Sequence, residues 1–210
     1  MNLFTHLDTE PTYEEIAAGA VLMRGLALEQ DCEFLAAVDE IVAAAPLHRT
    51  ATPSGLPMQV MVTDCGDPSA FQRRWDSDNP QNRRPWPPIP QVLREFALRA
   101  AVRAGFPRFR PDSCHINRYQ AGTKLGLHQD RHERDFEQPI VSVSLGLPCV
   151  FLFGGLQRTD KARHILLEHG DVIVWGGPSR MCFHGVQPLK PGSHPLTGPY
   201  RINLTFRKIA

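Results

Sequence analysis

Residues 200–207, "YRINLTFR", alternate apolar and polar side chains. In a β-strand successive side chains point to opposite faces, so one face here is apolar and the other carries two arginines, an asparagine and a threonine. A strand on the protein surface shows this pattern, with its polar face in water. A strand in a barrel shows it too, with its polar face lining the interior. The stretch therefore predicts a strand and leaves both placements open.

Similar short runs fill the chain from Ser113 onward. They are separated by turn residues and read "SCHINRY", "IVSVSLG", "CVFLFGG", "HILLEHG", "DVIVWGG" and "RMCFHGVQ". Short strands at such regular spacing are typical of an all-β sandwich or barrel. We predict a mainly β fold with helices packed outside it.

The helices are expected in the first half of the chain. Residues 31–47, "DCEFLAAVDEIVAAAPL", place apolar side chains at helical spacing, with Asp31 as a candidate N-cap. A second amphipathic segment runs over about 90–104 and ends at Gly105. Between the two helices, a strand-like alternation over 58–62 precedes a long loop rich in proline, asparagine, aspartate and arginine. Loops of this length are usually functional or disordered.

Composition excludes several classes. A chain of 210 residues that is 42% hydrophobic suits one compact domain. Its five dispersed cysteines contain no CxxC pair, which argues against a disulfide framework and a structural zinc site. The chain begins without a signal-peptide pattern and has no apolar run near the roughly 18 residues of a membrane span. We expect a cytoplasmic protein.

Charge gives one local signal. The net charge of +1 offers no global argument for a nucleic-acid or membrane partner. Between Phe71 and Arg110, however, there are nine arginines, no lysine and three acids. This excess indicates either a solvated basic face or a surface that contacts phosphates.

The stretch 125–133, "LGLHQDRHE", contains candidate metal ligands. On an extended segment His128 and Asp130 face the same way and can reach one ion. Two histidines and one carboxylate, with open positions opposite, suit an iron(II) that reacts with oxygen. A lone HxD is a weak signal, and strand-borne His184 is the candidate third ligand. Arg201, on the alternating strand, could bind the far carboxylate of a 2-oxo acid.

Longer motifs carry a resemblance. The motifs are "NRYQAGTKLGLHQD", "PIVSVSLGLP", "FGGLQR", "LLEHGDVIVWGG", "FHGVQPL" and "YRINLTFR", with "AAGAVLMRG" near the start and "RPWPPIP" in the middle. Together they resemble the AlkB family of Fe(II)/2-oxoglutarate-dependent dioxygenases, in its bacterial form. The resemblance covers essentially the whole chain.

This resemblance implies a double-stranded β-helix, or jelly roll, within an α+β architecture. It implies one dioxygenase domain over 1–210, in which 1–112 form an N-terminal extension with helices and a nucleotide-recognition lid, and 113–210 form the catalytic core. The polar face of 200–207 would then line the barrel interior. The implied iron ligands are His128, Asp130 and His184. The implied 2-oxoglutarate residues are Asn117, Tyr119, Arg201 and Asn203, with Arg207 completing the pocket near the substrate.

The implied activity is oxidative demethylation of N-alkylated bases, such as 1-methyladenine and 3-methylcytosine, in DNA or RNA. Iron, oxygen and 2-oxoglutarate are consumed in a reaction that releases formaldehyde, succinate and carbon dioxide, as a step of DNA alkylation repair. A base inside a duplex cannot reach the metal, so the expected partner is single-stranded or flipped-base nucleic acid. No membrane and no obligate protein partner are expected.

The substrate side departs from the family pattern. The loop after "TDCG" looks short and lacks a tryptophan at the usual place, so Phe71 or Trp75 is the candidate to stack on the base, or else to pack the loop onto the core. His132 stands where the family tends to have an acid, and Arg158 matches a position that contacts substrate. The alternative is the same oxygenase chemistry on modified RNA, a protein side chain or a small molecule. A jelly-roll binding module without metal is a third possibility, which the intact triad and arginines disfavour.

Overall fold

The structure is a computed structural model that describes residues 12–51, 55, 57–71, 78–131 and 133–210. Its strands are β1 Tyr13–Ala17, β2 Ala20–Met23, β3 His48–Ala51, β4 Pro57–Gly66, β5 Ser113–Tyr119, β6 Leu125–His128, β7 Ile140–Gly146, β8 Cys149–Phe153, β9 Arg163–Leu167, β10 Val172–Trp175, β11 His184–Val186 and β12 Arg201–Arg207. Its α-helices are α1 Asp31–Ala44, α2 Pro68–Phe71 and α3 Gln91–Arg103.

The strands form two antiparallel sheets. The larger sheet has the order β1-β2-β10-β7-β12-β5-β4-β3, and the smaller has the order β6-β11-β8-β9. Buried side chains from both sheets meet in one apolar cluster that includes Val62, Phe151, Phe153 and Trp175. Two sheets that bury a shared core in this way confirm the mainly β fold predicted from the strand pattern and the jelly roll implied by the family resemblance.

The two long helices cover the outer face of the larger sheet. Phe34 of α1 and Phe96 of α3 meet edge to face, with ring centroids 4.8 Å apart. Both belong to a second apolar cluster that includes Leu204 and Phe206 of β12. The helices lie within a few residues of the predicted segments. Asp31 differs from its predicted role, because it begins α1 as a helical residue and its carboxylate binds His169.

Strand β12 resolves the choice between surface and interior. Leu204 and Phe206 are fully buried under the helices. The opposite, polar face is buried as well, with exposures of 1% for Arg201, 7% for Asn203 and 6% for Arg207. A solvated face would not bury two guanidinium groups. The polar face of β12 therefore lines the space between the sheets.

The sequence pattern left several elements unpredicted. Strands β1 and β2 lie at one edge of the larger sheet, and β3 lies at the other. The alternation over 58–62 continues as β4 to Gly66, four residues into the predicted loop, and α2 follows. Strands from the first 112 residues thus share one sheet with β5, β7, β10 and β12. Among the described residues, no helix is long and apolar enough to span a membrane.

Candidate active site

A cavity of about 880 Å³ opens between the two sheets. Its walls include the polar faces of β5 and β12, the end of β6 and the start of β11. Aromatic side chains of Phe71, Trp86 and Trp175 complete the lining. A largely preformed cavity with a few convergent polar groups is the usual form of a small-molecule site.

The three candidate metal ligands meet at this cavity. His128 of β6 and His184 of β11 are direct partners in the strand ladder, and Asp130 follows β6 by two residues. Asp130 Oδ1 lies 4.0 Å from His128 Nε2, and Oδ2 lies 3.8 Å from His184 Nε2. One candidate ligand atom from each of the three residues lies within 4.8 Å of those of the other two.

Two local features orient the histidine rings. His128 Nδ1 lies 3.0 Å from the Gly126 carbonyl and His184 Nδ1 lies 3.1 Å from the Cys182 carbonyl. A neutral ring that donates from Nδ1 presents a lone pair at Nε2, which is the form that binds a metal. Gly185 lets the two strands approach closely, since a Cβ there would lie 2.7 Å from the Leu125 carbonyl oxygen.

Protonation states agree with a metal-binding role. Burial lowers the pKa of His184 to about 4, although the Asp130 carboxylate opposes the shift. Burial alone would raise the pKa of Asp130, but the charge of Arg207, with the two histidines, lowers it well below its usual range. At neutral pH the site therefore presents a neutral imidazole and an ionised carboxylate, which a cation requires.

Buried charges beyond the triad hold Asp130 in place. Arg207 lies 3.1 Å from the Asp130 carboxylate and 2.9 Å from Glu133, whose side chain is fully buried. Arg180 contacts Glu133 at 3.3 Å and donates to the Asp130 backbone carbonyl at 3.2 Å. Sequence reasoning missed Glu133 and Arg180, because no spacing pattern distinguishes them from ordinary surface charges. In the sequence, these two residues are distinguished only by lying within four residues of a candidate ligand.

Arg201 supplies a built site for an anion. Its side chain is 1% exposed and donates from one nitrogen to Ser144 Oγ at 3.0 Å. Its Nε and its other terminal nitrogen have no hydrogen-bond partner among the described residues. A buried guanidinium with unpaired donors is costly unless a ligand completes it, and a carboxylate matches its fork. The residues present therefore fit a 2-oxo acid.

The other candidate 2-oxoglutarate residues surround Arg201. The Tyr119 ring lies 5.0 Å from the Arg201 guanidinium, and burial raises the pKa of Tyr119 to about 12, so its hydroxyl remains a donor. Asn203 donates to Ser142 Oγ at 2.8 Å and pairs across the ladder with Asn117. The structure thus brings Asn117, Arg201 and Asn203 to one cavity wall, with Tyr119 buried against Arg201.

The candidate substrate residues are less fully placed. Phe71 lines the cavity but is only 2% exposed, and its ring packs 6.0 Å from that of Trp86. Arg158 also lines the cavity, where it donates to the Leu127 carbonyl at 2.8 Å. Trp75 and His132 lie outside the described residues.

Two further groups on this side had no predicted role. Trp86, within the "RPWPPIP" motif, lies between Phe71 and His48, with ring centroids 6.0 Å from each. His115 and Asp64 form a hydrogen-bonded pair in the cavity wall. Asp64 fell in the predicted loop, so its strand position opposite His115 could not be anticipated.

Several known proteins are similar to this chain in sequence and in fold. A family model described as the 2OG-Fe(II) oxygenase superfamily matches residues 19–207. The Escherichia coli (strain K12) alpha-ketoglutarate-dependent dioxygenase AlkB is 48% identical over 205 residues, covering 96% of this chain and 95% of that protein. The human nucleic acid dioxygenase ALKBH1 is 32% identical over 121 residues, covering 58% of this chain and 31% of that protein. The solved structure of OsALKBH1 matches with a TM-score of 0.79 and 29% identity, covering 94% of this chain and 100% of that one.

Proposed function

Because the chain belongs to the AlkB family of 2OG-Fe(II) oxygenases, we propose that it demethylates N-alkylated bases in nucleic acid, as a step of DNA alkylation repair. The enzyme uses Fe(II), 2-oxoglutarate and molecular oxygen. When bound, iron supplies with oxygen and 2-oxoglutarate the oxidising chemistry that hydroxylates the methyl carbon, after which formaldehyde leaves. The protein's part is to hold, orient and select.

We assign the iron to His128, Asp130 and His184. Both histidines aim Nε2 at the space that the Asp130 carboxylate faces. Arg207 fixes the orientation of that carboxylate through their 3.1 Å contact, while Glu133 balances the buried arginine charge. The ligand set leaves one side open for co-substrate and oxygen.

We assign 2-oxoglutarate to the neighbouring wall. The unpaired donors of Arg201 bind its distal carboxylate, and the Tyr119 hydroxyl stays protonated beside them. Asn117 and Asn203 extend this wall toward the metal ligands, with Arg207 at its far end. This order places the co-substrate between Arg201 and the triad.

The remaining part of the cavity receives the damaged base. Phe71, Trp75, His132 and Arg158 are its proposed contacts. A base must leave the helical stack to enter a cavity of this kind, so single-stranded or flipped-base DNA or RNA is the proposed partner. We place the enzyme in the cytoplasm, and treat residues 1–210 as one catalytic domain.

The observation that carries this proposal is the shared cavity of the triad and the unpaired Arg201. Oligonucleotides with 1-methyladenine or 3-methylcytosine should release formaldehyde when iron, ascorbate and 2-oxoglutarate are supplied. His184→Ala should release none, whereas His164→Ala, at an exposed position on β9, should match the wild type. Succinate formation without formaldehyde from either lesion would favour the same oxygenase chemistry on another substrate.

A further inference from the structure

The pair His115 and Asp64 is a polar feature of the cavity that the roles assigned above leave unused. The two side chains are 26% and 14% exposed, and His115 Nδ1 lies 2.8 Å from Asp64 Oδ1. Both line the cavity. A histidine–carboxylate pair on a cavity wall presents a hydrogen-bonding ring in a fixed orientation.

Strand pairing places this dyad between the co-substrate and the aromatic residues. His115 lies two residues from Asn117 on the same face of β5, a separation of about 7 Å. Two residues before His115, Ser113 pairs with Gly66 of β4. A Cβ at Gly66 would lie 2.7 Å from the Phe71 ring. The dyad therefore occupies the stretch of wall that a base held against the aromatic side chains would face.

Electrostatics also connect the dyad to the metal side. Burial opposes the charge of Arg207, but the carboxylates of Asp130, Glu133 and Asp64 together raise its pKa. Asp64 is thus close enough to act on the arginine that holds the metal-binding carboxylate. Across the ladder, Thr205 of β12 pairs with His115 and also lines the cavity. The dyad belongs to the reaction chamber and not to its outer rim.

The Asp64 carboxylate determines which ring nitrogen of His115 donates a hydrogen bond and which accepts one. An ionised carboxylate only accepts hydrogen bonds, so the contact requires a proton on Nδ1 of His115. In the neutral ring, Nε2 then carries a lone pair and accepts. Asp64 is the hydrogen-bond partner that the described residues give this ring, and Nε2 is the ring's remaining polar atom.

We infer that His115, oriented by Asp64, accepts a hydrogen bond from the exocyclic amino group of the damaged base and so selects amino-bearing lesions. Adenine carries that amino group at C6 and cytosine carries it at C4, beside the alkylated nitrogen, whereas guanine and thymine carry a carbonyl oxygen at the corresponding carbon. The amino group of guanine is on C2, on the other side of the alkylated nitrogen. A carbonyl oxygen would face the Nε2 lone pair without a proton between them. His115 is a specificity residue, and Asp64 is a positioning residue that acts through it. This inference rests on the proposed demethylase function.

The test compares four methylated bases in one oligonucleotide sequence. These are 1-methyladenine and 3-methylcytosine, which carry an amino group at C6 or C4, and 1-methylguanine and 3-methylthymine, which carry a carbonyl oxygen at that carbon. The readout is kcat/KM for formaldehyde release from each. His115→Leu should lower the amino-to-oxo ratio of kcat/KM about tenfold, the equivalent of one hydrogen bond. His164→Leu is the matched control and should leave the ratio unchanged.

Two further measurements separate recognition from folding. Succinate formation without nucleic acid should persist in His115→Leu, because iron and 2-oxoglutarate are bound elsewhere. His115→Gln, whose amide can donate or accept, should reduce discrimination with less loss of turnover, and Asp64→Asn should reduce it by freeing the ring's tautomer. An unchanged ratio in His115→Leu and His115→Gln, or an equal loss on all four bases, would overturn the inference. Absence of formaldehyde from every base in the wild type would instead refute the demethylase function, and this inference with it.

Discussion

Two walls of the same cavity differ in construction. The oxidation wall consists of His128, Asp130, His184, Arg201 and Arg207. Asp130, Arg201 and Arg207 each have a buried polar partner in the chain. The recognition wall consists of Asp64, Phe71, Trp86, His115 and Arg158. Its polar groups are the exposed Arg158 and the Asp64–His115 pair, whose side chains are 14% and 26% exposed, and its aromatic groups come from the segment after β4.

This difference teaches that oxidation and substrate choice are separable in the molecule. Buried charge networks tolerate little change, because removing one partner leaves another unpaired. Partly exposed hydrogen bonds and stacking contacts are worth less individually and can be exchanged. Substitutions in the oxidation wall should therefore abolish both products, whereas those in the recognition wall should change which substrates are used.

Loss of a proposed metal ligand should have the largest effect. Asp130→Ala removes the carboxylate that both histidines face and leaves Arg207 without one of its partners. We expect no detectable succinate or formaldehyde, and no iron retained after gel filtration. Full activity in this variant would refute the assignment of the triad, and His164→Ala serves as the control.

Substitution of Arg201 should follow in size. Arg201→Lys keeps the positive charge but removes the guanidinium group, whose Nε and one terminal nitrogen have no hydrogen-bond partner among the described residues. We expect the KM for 2-oxoglutarate to rise about a hundredfold, since charged hydrogen bonds contribute about 1.5–3 kcal/mol each and 1.36 kcal/mol is tenfold. Steady-state succinate assays measure this. Exposed Arg103→Lys, at the end of α3, is the control, and a KM equal to that of the wild type would contradict the assignment.

Glu133 should have a smaller effect on the metal. Glu133→Gln removes the charge that pairs with both Arg180 and Arg207, so Asp130 is held less firmly. We expect iron affinity to fall roughly 10- to 50-fold, as for other residues that orient metal ligands. Iron titration checks this against Glu137→Gln, at an exposed position. Equal iron affinities in Glu133→Gln and Glu137→Gln would show that the contacts of Glu133 with Arg180 and Arg207 do not contribute to iron binding.

The recognition wall should give the smallest effects on chemistry. Phe71 is buried against Trp86, so Phe71→Ala should mainly lower the free energy of unfolding, by about 3–5 kcal/mol.

Trp75→Ala should raise the KM for methylated oligonucleotide about tenfold, if stacking on one base is lost. Trp75→Phe, which keeps an aromatic face, should restore most of it. The reverse pattern would identify Phe71 as the stacking residue.

The contrast between the walls also explains what the sequence could predict. Strand alternation over 200–207 predicted which side chains share a face, and the structure places that polar face in the cavity. Regular strands have a fixed period, so their pattern can be read directly. The placement of Asp64 and the burial of Glu133 depend on pairings between distant segments, which no local pattern encodes. The continuation of β4 over residues 63–66, "TDCG", puts Asp64 where the alternation of 58–62 would have an apolar side chain, so the sequence pattern ends at Val62.

The most direct test of the separation measures succinate and formaldehyde in the same reaction on a 3-methylcytosine oligonucleotide. Wild-type enzyme should form equal amounts of the two products. Variants of the recognition wall, such as Arg158→Ala and His115→Leu, should keep forming succinate while formaldehyde falls below it. If both products fall together in these variants, with their ratio unchanged, the two walls act as one unit and oxidation is not separable from substrate choice.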